Sequence, residues 1–231
     1  MILRLENVCK NYGTEYCKIL VIKNISYEFK SGNIYTITGR RFAGKTILMN
    51  LIGGNEMISS GYLSIDNISY FYKNKIIPKI KKEYFSYVID DLDYNKSIDY
   101  NVLKKYRKLT RRKEKLNEVL NYVSISPKRK LDINNLSILD KTRLLIAKSL
   151  VNNPKIILID ELLDKLSTDN KNVIMELLRK ISREDRIVII TSNSKQIIDN
   201  SDEVINIVTG RIKKGWLYIF LFLNKKTTKS F

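Results

Sequence analysis

Residues 34–46 read IYTITGRRFAGKT, and this stretch decides the fold. Its first five residues are β-branched or aromatic, which is typical of a short buried strand. The motif Gly-x-x-x-x-Gly-Lys-Thr follows at 39–46, and the apolar residues of 47–52 then share one face of a predicted helix. Strand, glycine-bounded loop and helix is the order that a phosphate-binding loop requires, because loop N–H groups and the positive helix end surround an anion.

The side chains of this loop predict a nucleotide site. Lys45 is predicted to reach the β- and γ-phosphates, and the Thr46 hydroxyl is predicted to bind Mg²⁺. The other predicted contacts to the nucleotide come from the rest of the loop: Gly39, Arg40, Arg41, Phe42, Ala43 and Gly44. For the motif alone, the alternative is a glycine turn with no ligand. The flanking strand and helix favour the nucleotide site.

A second apolar run, at 156–159, ends in Asp160-Glu161. A run that is apolar on both faces is typical of a central parallel strand. Strands alternate with helices from here to about 208, which predicts a parallel α/β sheet whose ligands bind beyond the carboxyl ends of the strands. The loop at 39–46, the acidic pair and Thr191-Ser192 are all predicted to lie at that edge.

The acidic pair supplies two functions at neighbouring positions. Asp160 is predicted to help hold the Mg²⁺ ion that bridges the phosphates, and Glu161 is predicted to polarise or deprotonate the attacking water. The alternative is that an acidic pair after a strand simply begins a loop. In combination with Lys45, the pair indicates a magnesium–nucleotide site.

The N-terminal part of the chain predicts an antiparallel β layer around the strand at 34–38. Segments rich in Ile, Val, Tyr and Phe are separated by turn signals. The segments are 2–8, 19–29 and 62–72, and the turn signals are 11–13, 31–33 and 59–61. Tyr12 can offer an aromatic face to a purine, although the chain has 14 tyrosines and an ordinary turn tyrosine is the alternative.

Composition limits the chemistry. The 231 residues are 44% hydrophobic and 29% charged, which indicates a globular chain. The chain has no histidine and two cysteines, which excludes Ser-His and Cys-His nucleophiles and the usual zinc sites. No signal peptide follows Met1 and no run of 18 apolar residues is present, so we expect a cytoplasmic protein.

The formal charge of +18 invites a nucleic-acid-binding interpretation. The basic residues, however, belong to a composition rich in Lys, Asn, Ile and Tyr throughout, and no arginine stripe with interleaved aromatics stands out. We therefore expect no nucleic-acid partner. An ATPase acting on nucleic acid stays open as an alternative.

The order of the segments resembles the ATP-binding subunit of an ABC transporter over about 1–215. The stretch 7–13 resembles the opening strand with its adenine-stacking aromatic, here Tyr12, and 39–46 resembles the Walker A loop. Leu136-Ser137 through Arg143 and Ala147 occupies the place of the signature segment, and Asp160-Glu161 ends a Walker B strand. The resemblance implies an α/β P-loop NTPase fold with a mostly parallel central sheet, the N-terminal antiparallel layer and an inserted helical lobe at about 85–150. Residues 216–231 form an apolar, then basic, tail.

The resemblance also implies function. The cofactors are ATP and Mg²⁺, with Ser137 contacting nucleotide and Asp90 as a further Mg²⁺ ligand at the place of the family's glutamine. The implied partners are a membrane-embedded permease and a second ATP-binding subunit, alike or different, on the inner face of the cell membrane. The stretch 48–54 is most similar to the branch that exports lipoproteins, macrolides or antimicrobial peptides.

The departures from the family pattern concern hydrolysis. Phe42 replaces a Walker A glycine and must point away from the phosphates. Other changes remove the signature glycines, the D-loop aspartate and the switch histidine; the residues there are Ile138, Leu139, Ser167 and Ser192. Because Lys45 and the acidic pair remain, we expect ATP binding to be better preserved than hydrolysis. The alternative is a degenerate regulatory subunit with little hydrolysis.

Overall fold

A computed structural model describes residues 1–14, 17–72, 75–104, 106 and 112–213. The described chain is α/β. Its strands are β1 Ile2–Thr14, β2 Cys17–Lys30, β3 Ile34–Thr38, β4 Ser60–Ile65, β5 Ile68–Ser69, β6 Phe71–Tyr72, β7 Lys75–Ile76, β8 Phe85–Val88, β9 Ile156–Asp160, β10 Ile187–Thr191, β11 Glu203–Val208 and β12 Arg211–Ile212. Its helices are α1 Lys45–Ile52, α2 Pro78–Tyr84, α3 Ile98–Leu103, α4 Arg112–Tyr122, α5 Ile138–Leu150, α6 Thr168–Ser182 and α7 Lys195–Asp199, with 3₁₀ turns at Ser126–Lys128, Ile133–Asn135 and Leu162–Lys165.

The central sheet has six strands in the order β12-β11-β3-β10-β9-β8. All neighbouring pairs are parallel except β11 with the edge strand β12. The apolar run of β9 is buried on both faces, as a strand covered on two sides requires. The prediction of a mostly parallel central sheet is confirmed, and it brings the ends of β3, β9 and β10 to one edge.

The N-terminal layer is a four-stranded sheet in the order β2-β1-β4-β5, with antiparallel neighbours throughout. This part of the predicted fold is also confirmed. The predicted turn at 11–13 is wrong: these residues continue β1, with Tyr12 opposite Ile19. Cross-strand pairing with β2 overrides the local turn preference of Asn and Gly there.

Alternate side chains of the central strands enter two cores. Ile156 and Leu158 of β9 pack with α1 and the antiparallel sheet, whereas Ile157 and Ile159 pack on the opposite side with α5 and α6. The period-two alternation of a strand produces this division. The sheet is therefore held between two layers, and its edge with the loops remains accessible.

The inserted lobe consists of helices that lie between β8 and β9. Its helices fall within 98–150, because Phe85–Val88 pairs with β9 and belongs to the central sheet. The lobe helices pack around Leu116, Leu120 and Leu144, all fully or almost fully buried. The apolar face of α4 thereby becomes part of the core. The tail at 216–231 lies outside the described residues, and among the described helices none is long and apolar enough to cross a membrane.

Candidate functional site

The loop 39–44 joins the end of β3 to the start of α1 and leaves no room for side chains at two glycines. A Cβ on Gly39 would lie 2.4 Å from the carbonyl oxygen of Ile207, and a Cβ on Gly44 would lie 2.9 Å from Ile22 Cδ1. Gly44 also has a φ of +104°, which is strained for any residue with a side chain. Gly39 is thus required by the backbone packed against it, and Gly44 is required by its own left-handed conformation.

Phe42 occupies the place of the missing third glycine and adopts the left-handed conformation itself, with a φ of +63°. Its side chain is 88% exposed and points into solvent, where the Arg41 guanidinium lies 5.1 Å from the ring centroid. The loop backbone therefore keeps the conformation that glycine would give, and the ring lies outside it. Arg40 and Arg41 are exposed on the same loop.

Replacing Phe42 by glycine tests this reading of the loop. A left-handed non-glycine residue costs about 1–2 kcal/mol, part of which the greater chain entropy of unfolded glycine cancels. We expect F42G to change the free energy of unfolding by no more than about 1 kcal/mol, in the stabilising direction, and to keep wild-type ATP affinity. Denaturant unfolding and nucleotide titration measure these two quantities; a large loss of affinity would show that the ring contacts the ligand.

Lys45 is the first residue of α1, and its side chain is only 6% exposed. Its ammonium donates to the carbonyls of Gly39, at 3.1 Å, and Arg40, at 3.5 Å, which curls the side chain back over the loop. The same nitrogen lies 3.2 Å from Glu161 Oε1. The structure therefore brings together Lys45 and the acidic pair, as the sequence predicts.

Asp160 and Glu161 are held by Thr191, the last residue of β10. The Thr191 hydroxyl donates to Asp160 Oδ1 and accepts from the backbone N–H of Glu161 at 2.9 Å. Glu161 has a φ of +49°, and its side chain is 56% exposed. The strand register explains the contact, because Thr191 lies opposite Asp160 in the parallel pair of β10 and β9.

The three predicted magnesium ligands lie at different places in the structure. Thr46 lies in the first turn of α1 beside Lys45, and Asp160 lies at the end of β9. Asp90 follows β8 on an exposed loop, where its carboxylate is 3.7 Å from Lys165 Nζ. Within the part of the chain that the structure describes, no group of three Asp, Glu, Cys or His residues is clustered closely enough to hold a metal alone. A hydroxyl, a carboxylate and phosphate oxygens are nevertheless the hard oxygen donors that suit Mg²⁺.

Tyr12, the predicted purine-stacking residue, has polar partners of its own. Its hydroxyl donates to Glu56, and Lys10 Nζ lies 4.8 Å from the ring centroid and 3.2 Å from Glu56 Oε1. Burial and the neighbouring carboxylate raise the pKa of Tyr12 to about 12, so the phenol stays protonated at neutral pH. The ring orientation is thus fixed, and adenine stacking on it stays a prediction.

Ser137 is the N-cap of α5. Its Oγ accepts from the backbone N–H of Asp140 at 3.1 Å and donates to Asp140 Oδ2 at 2.6 Å. That carboxylate is buried and lies 2.5 Å from Lys128 Nζ. Burial opposes ionisation of Asp140, but the hydrogen bonds from Lys128 and Ser137 outweigh it and lower its pKa. The predicted nucleotide contact of Ser137 stays untested, because in this chain its hydroxyl already serves as a cap.

Replacing Ser137 by alanine is expected to cost about 1 kcal/mol of folding free energy. The change removes an N-cap and one hydrogen bond to a buried carboxylate. Urea unfolding of S137A and S126A compares this loss with removal of the partly exposed Ser126 hydroxyl, whose hydrogen bond goes to the exposed Asn121 side chain. Equal stabilities of the two variants would contradict the capping role.

Sequence reasoning missed several residues of the site. Asn193 accepts from the Gly39 N–H, Glu56 orients Tyr12, and Asp140 holds the Ser137 hydroxyl. For Asp140 a signal existed, since an acidic residue three positions after a serine resembles a capping box. The sequence around Asn193 and Glu56 contains no such signal, because their hydrogen-bond partners lie far away along the chain.

Comparison with known proteins places this geometry in a family. The family model described as ABC transporter matches residues 22–164. The methionine import ATP-binding protein MetN 1 of Oceanobacillus iheyensis is 30% identical over 99% of this chain and 71% of its own length. A macrolide export ATP-binding/permease protein, MacB of Campylobacter jejuni, is 25% identical over 90% of this chain, which spans about a third (33%) of that protein.

Solved structures agree with the sequence relatives. An ATP-binding cassette solved as a dimer in a post-hydrolysis state, bound to ADP and Pi, superposes with a TM-score of 0.77. It is 26% identical, with 92% of this chain and 97% of that chain covered. ADP and Pi are the products of ATP hydrolysis, the reaction that Lys45, Asp160 and Glu161 predict. The chain therefore belongs to the ABC transporter family, as one of its ATP-binding ATPase subunits.

Proposed function

We propose that this chain powers a membrane transporter by binding a magnesium–ATP complex at the edge formed by β3, β9 and β10. The observation that carries the proposal is the convergence of three elements: the compact loop 39–44, the almost fully buried Lys45, and the acidic pair held by Thr191. Among the described residues, the Lys45 ammonium contacts two backbone carbonyl oxygens and the exposed Glu161 carboxylate, and a phosphate would take the place of that carboxylate.

Thr46 and Asp160 are the residues of this chain that would hold Mg²⁺, with Asp90 as a further candidate. The bound ion would neutralise charge that develops on the phosphates. Lys45 would bind the phosphate oxygens once Glu161 gives up its ion pair. The freed Glu161 carboxylate would then orient and polarise the attacking water.

We infer further that hydrolysis is weakened relative to binding. The signature position carries exposed Ile138 in place of glycine, and the Ser137 hydroxyl is engaged by Asp140. Ser192, at the place of the switch histidine, donates to Asp164 and is fully buried. Loss of one preorganised donor to the transition state costs roughly 10²–10³ in rate.

The proposed partners are a membrane-embedded permease and a second ATP-binding subunit, with the assembly on the cytoplasmic face of the cell membrane. The dimeric cassette supports the second subunit, and the permease segment named in the MacB relative supports the first. For the cargo we propose export of a peptide, lipoprotein or drug-like molecule, which the MacB similarity supports. The similar MetN 1 is named as an import protein, so its similarity does not support export.

Steady-state ATP hydrolysis, measured with and without a permease that co-purifies with this chain, tests the proposal. We expect tight magnesium-dependent ATP binding in both cases, and slow turnover that rises when the permease is present in proteoliposomes. A matched Glu161→Gln sample sets the background from contaminating ATPases. Turnover at ordinary transporter rates without any partner would contradict the weakened-hydrolysis part, and absence of ATP binding would contradict the whole proposal.

A second candidate function is a regulatory subunit that binds ATP but leaves hydrolysis to its partner. The engagement of Ser137 as the N-cap of α5 and the exposure of Ile138 favour it, since both residues lie in the segment that resembles the signature. ATP-dependent dimerisation, followed by light scattering beside the hydrolysis rate, separates the two functions. Dimers that form with ATP and turn over very slowly even with the permease indicate the regulatory role.

A further inference from the structure

The three residues that follow one another at the end of β10 contact three different segments of the site. Thr191 bonds to Asp160 and to the backbone of Glu161. Ser192 donates to Asp164 in the turn after β9. The Asn193 side-chain oxygen accepts from the Gly39 N–H at 3.1 Å and from the Thr38 hydroxyl at 2.8 Å.

We propose that Thr191 and Asn193 are positioning residues for the magnesium–nucleotide site, Thr191 for the metal and water half and Asn193 for the phosphate-loop half. The inference rests on the proposed function, because it assigns each residue to one part of that site. Neither residue needs to touch the nucleotide. Each acts through a group that does.

The Thr191 hydroxyl holds the acidic pair by two bonds, one donated and one accepted, and the Thr191 backbone carbonyl also accepts the Glu161 N–H at 3.2 Å. Its hydroxyl donates to Asp160 Oδ1, so Asp160 Oδ2 is the oxygen that would be available to hold Mg²⁺. The oxygen of the same hydroxyl accepts a hydrogen bond from the Glu161 N–H. Glu161 itself lies in the left-handed conformation, with a φ of +49°. Thr191 is fully buried, so water cannot replace these bonds without rearrangement. Partners that orient metal ligands commonly contribute 10–100-fold to metal affinity.

Asn193 holds the first residue of the phosphate loop. The Ile207 carbonyl occupies the space that a Cβ on Gly39 would need, and the Gly39 N–H donates to Asn193 Oδ1. The Thr38 hydroxyl, at the end of β3, shares the same acceptor. This contact fixes where the loop leaves the sheet, and thereby the carbonyl of Gly39 on which the Lys45 ammonium rests at 3.1 Å.

Nucleotide binding to the full chain, measured with a fluorescent ATP analogue first in EDTA and then across a Mg²⁺ titration, separates the two roles. For T191V we expect unchanged affinity in EDTA and about a tenfold or greater rise in the Mg²⁺ concentration for half-maximal binding. For T191S, which keeps the hydroxyl, we expect Mg²⁺ dependence close to wild type. For N193A we expect about threefold to tenfold weaker binding already in EDTA, with wild-type Mg²⁺ dependence.

Thr36→Val is the matched control for the loss of a buried hydroxyl. Thr36 is fully buried in β3 and bonds to Ser201 at 2.6 Å, outside the site, so T36V should lower the unfolding temperature without changing the Mg²⁺ titration. If T191V titrates as wild type, or if T36V shifts the titration as much as T191V, the positioning role of Thr191 is wrong. If N193A binds as wild type in EDTA, the role of Asn193 is wrong.

Failure of this inference is distinguishable from failure of the proposed function. Lys45→Ala in the same assay reports on the nucleotide site itself. Lost binding in K45A with wild-type behaviour of T191V and N193A overturns only the positioning roles. Wild-type binding in K45A overturns the nucleotide site. If T191V does not fold, Thr191→Cys replaces it in the Mg²⁺ titration and is compared with T191S. Both variants are measured at a temperature at which their unfolding curves show them folded.

Discussion

Replacing Lys45 by alanine is expected to weaken ATP binding about 100-fold or more. Hydrogen bonds to charged groups contribute about 1.5–3 kcal/mol each, and the Lys45 ammonium is expected to serve two phosphates from a nearly buried position. The substitution also leaves Glu161 without its cation, so a carboxylate then faces the incoming phosphates unpaired. Isothermal titration with Mg²⁺–ATP on the purified chain gives the dissociation constant directly.

Lys155→Ala serves as the control for the loss of a lysine. The Lys155 side chain is 43% exposed, and its ammonium lies 3.4 Å from the exposed Asp185 carboxylate. An ion pair of this kind contributes little, so K155A should bind ATP as the wild type does. Unchanged ATP affinity in K45A, with a normal unfolding transition, would remove the basis for the nucleotide site.

Replacing Glu161 by glutamine is expected to lower hydrolysis about 10²–10⁴-fold while nucleotide binding persists. Glutamine has the shape of glutamate but cannot take a proton from water. Binding is expected to become tighter, by up to about fivefold, because Glu161 no longer competes with phosphate for Lys45 and a half-exposed ion pair is worth about 1 kcal/mol at most. Single-turnover hydrolysis and equilibrium binding together measure both changes.

Glu28→Gln is the matched control for neutralising a carboxylate. Glu28 Oε1 lies 2.8 Å from Arg4 Nε on the outer face of the antiparallel sheet, so E28Q should leave both hydrolysis and binding unchanged. If E161Q hydrolyses ATP as fast as E28Q does, Glu161 is not the catalytic base. Weaker ATP binding in E161Q would mean that the carboxylate supports the nucleotide instead of competing with it.

Much of the candidate site was predictable from short stretches of sequence. The phosphate loop, the Walker B strand and the antiparallel layer were each predicted from residues that are neighbours in the chain, and the parallel topology then placed them at one edge. The prediction of a turn at 11–13 is wrong because the conformation there depends on a strand that is not a neighbour in the local sequence pattern. Pairing of β1 with β2 over the full length Ile2–Thr14 decides the conformation there, and no local signal reports that pairing.

The sequence by itself determined the order of strands and helices, the phosphate loop and the acidic pair, because hydrophobic periodicity and glycine placement act over a few residues. Only the tertiary structure decided where individual side chains are engaged. It turns Phe42 out to solvent, ties the Ser137 hydroxyl to Asp140 and pairs Lys45 with Glu161. Those partners are set by how the loops meet at the sheet edge, a property of packing between distant segments that no single stretch of the chain contains.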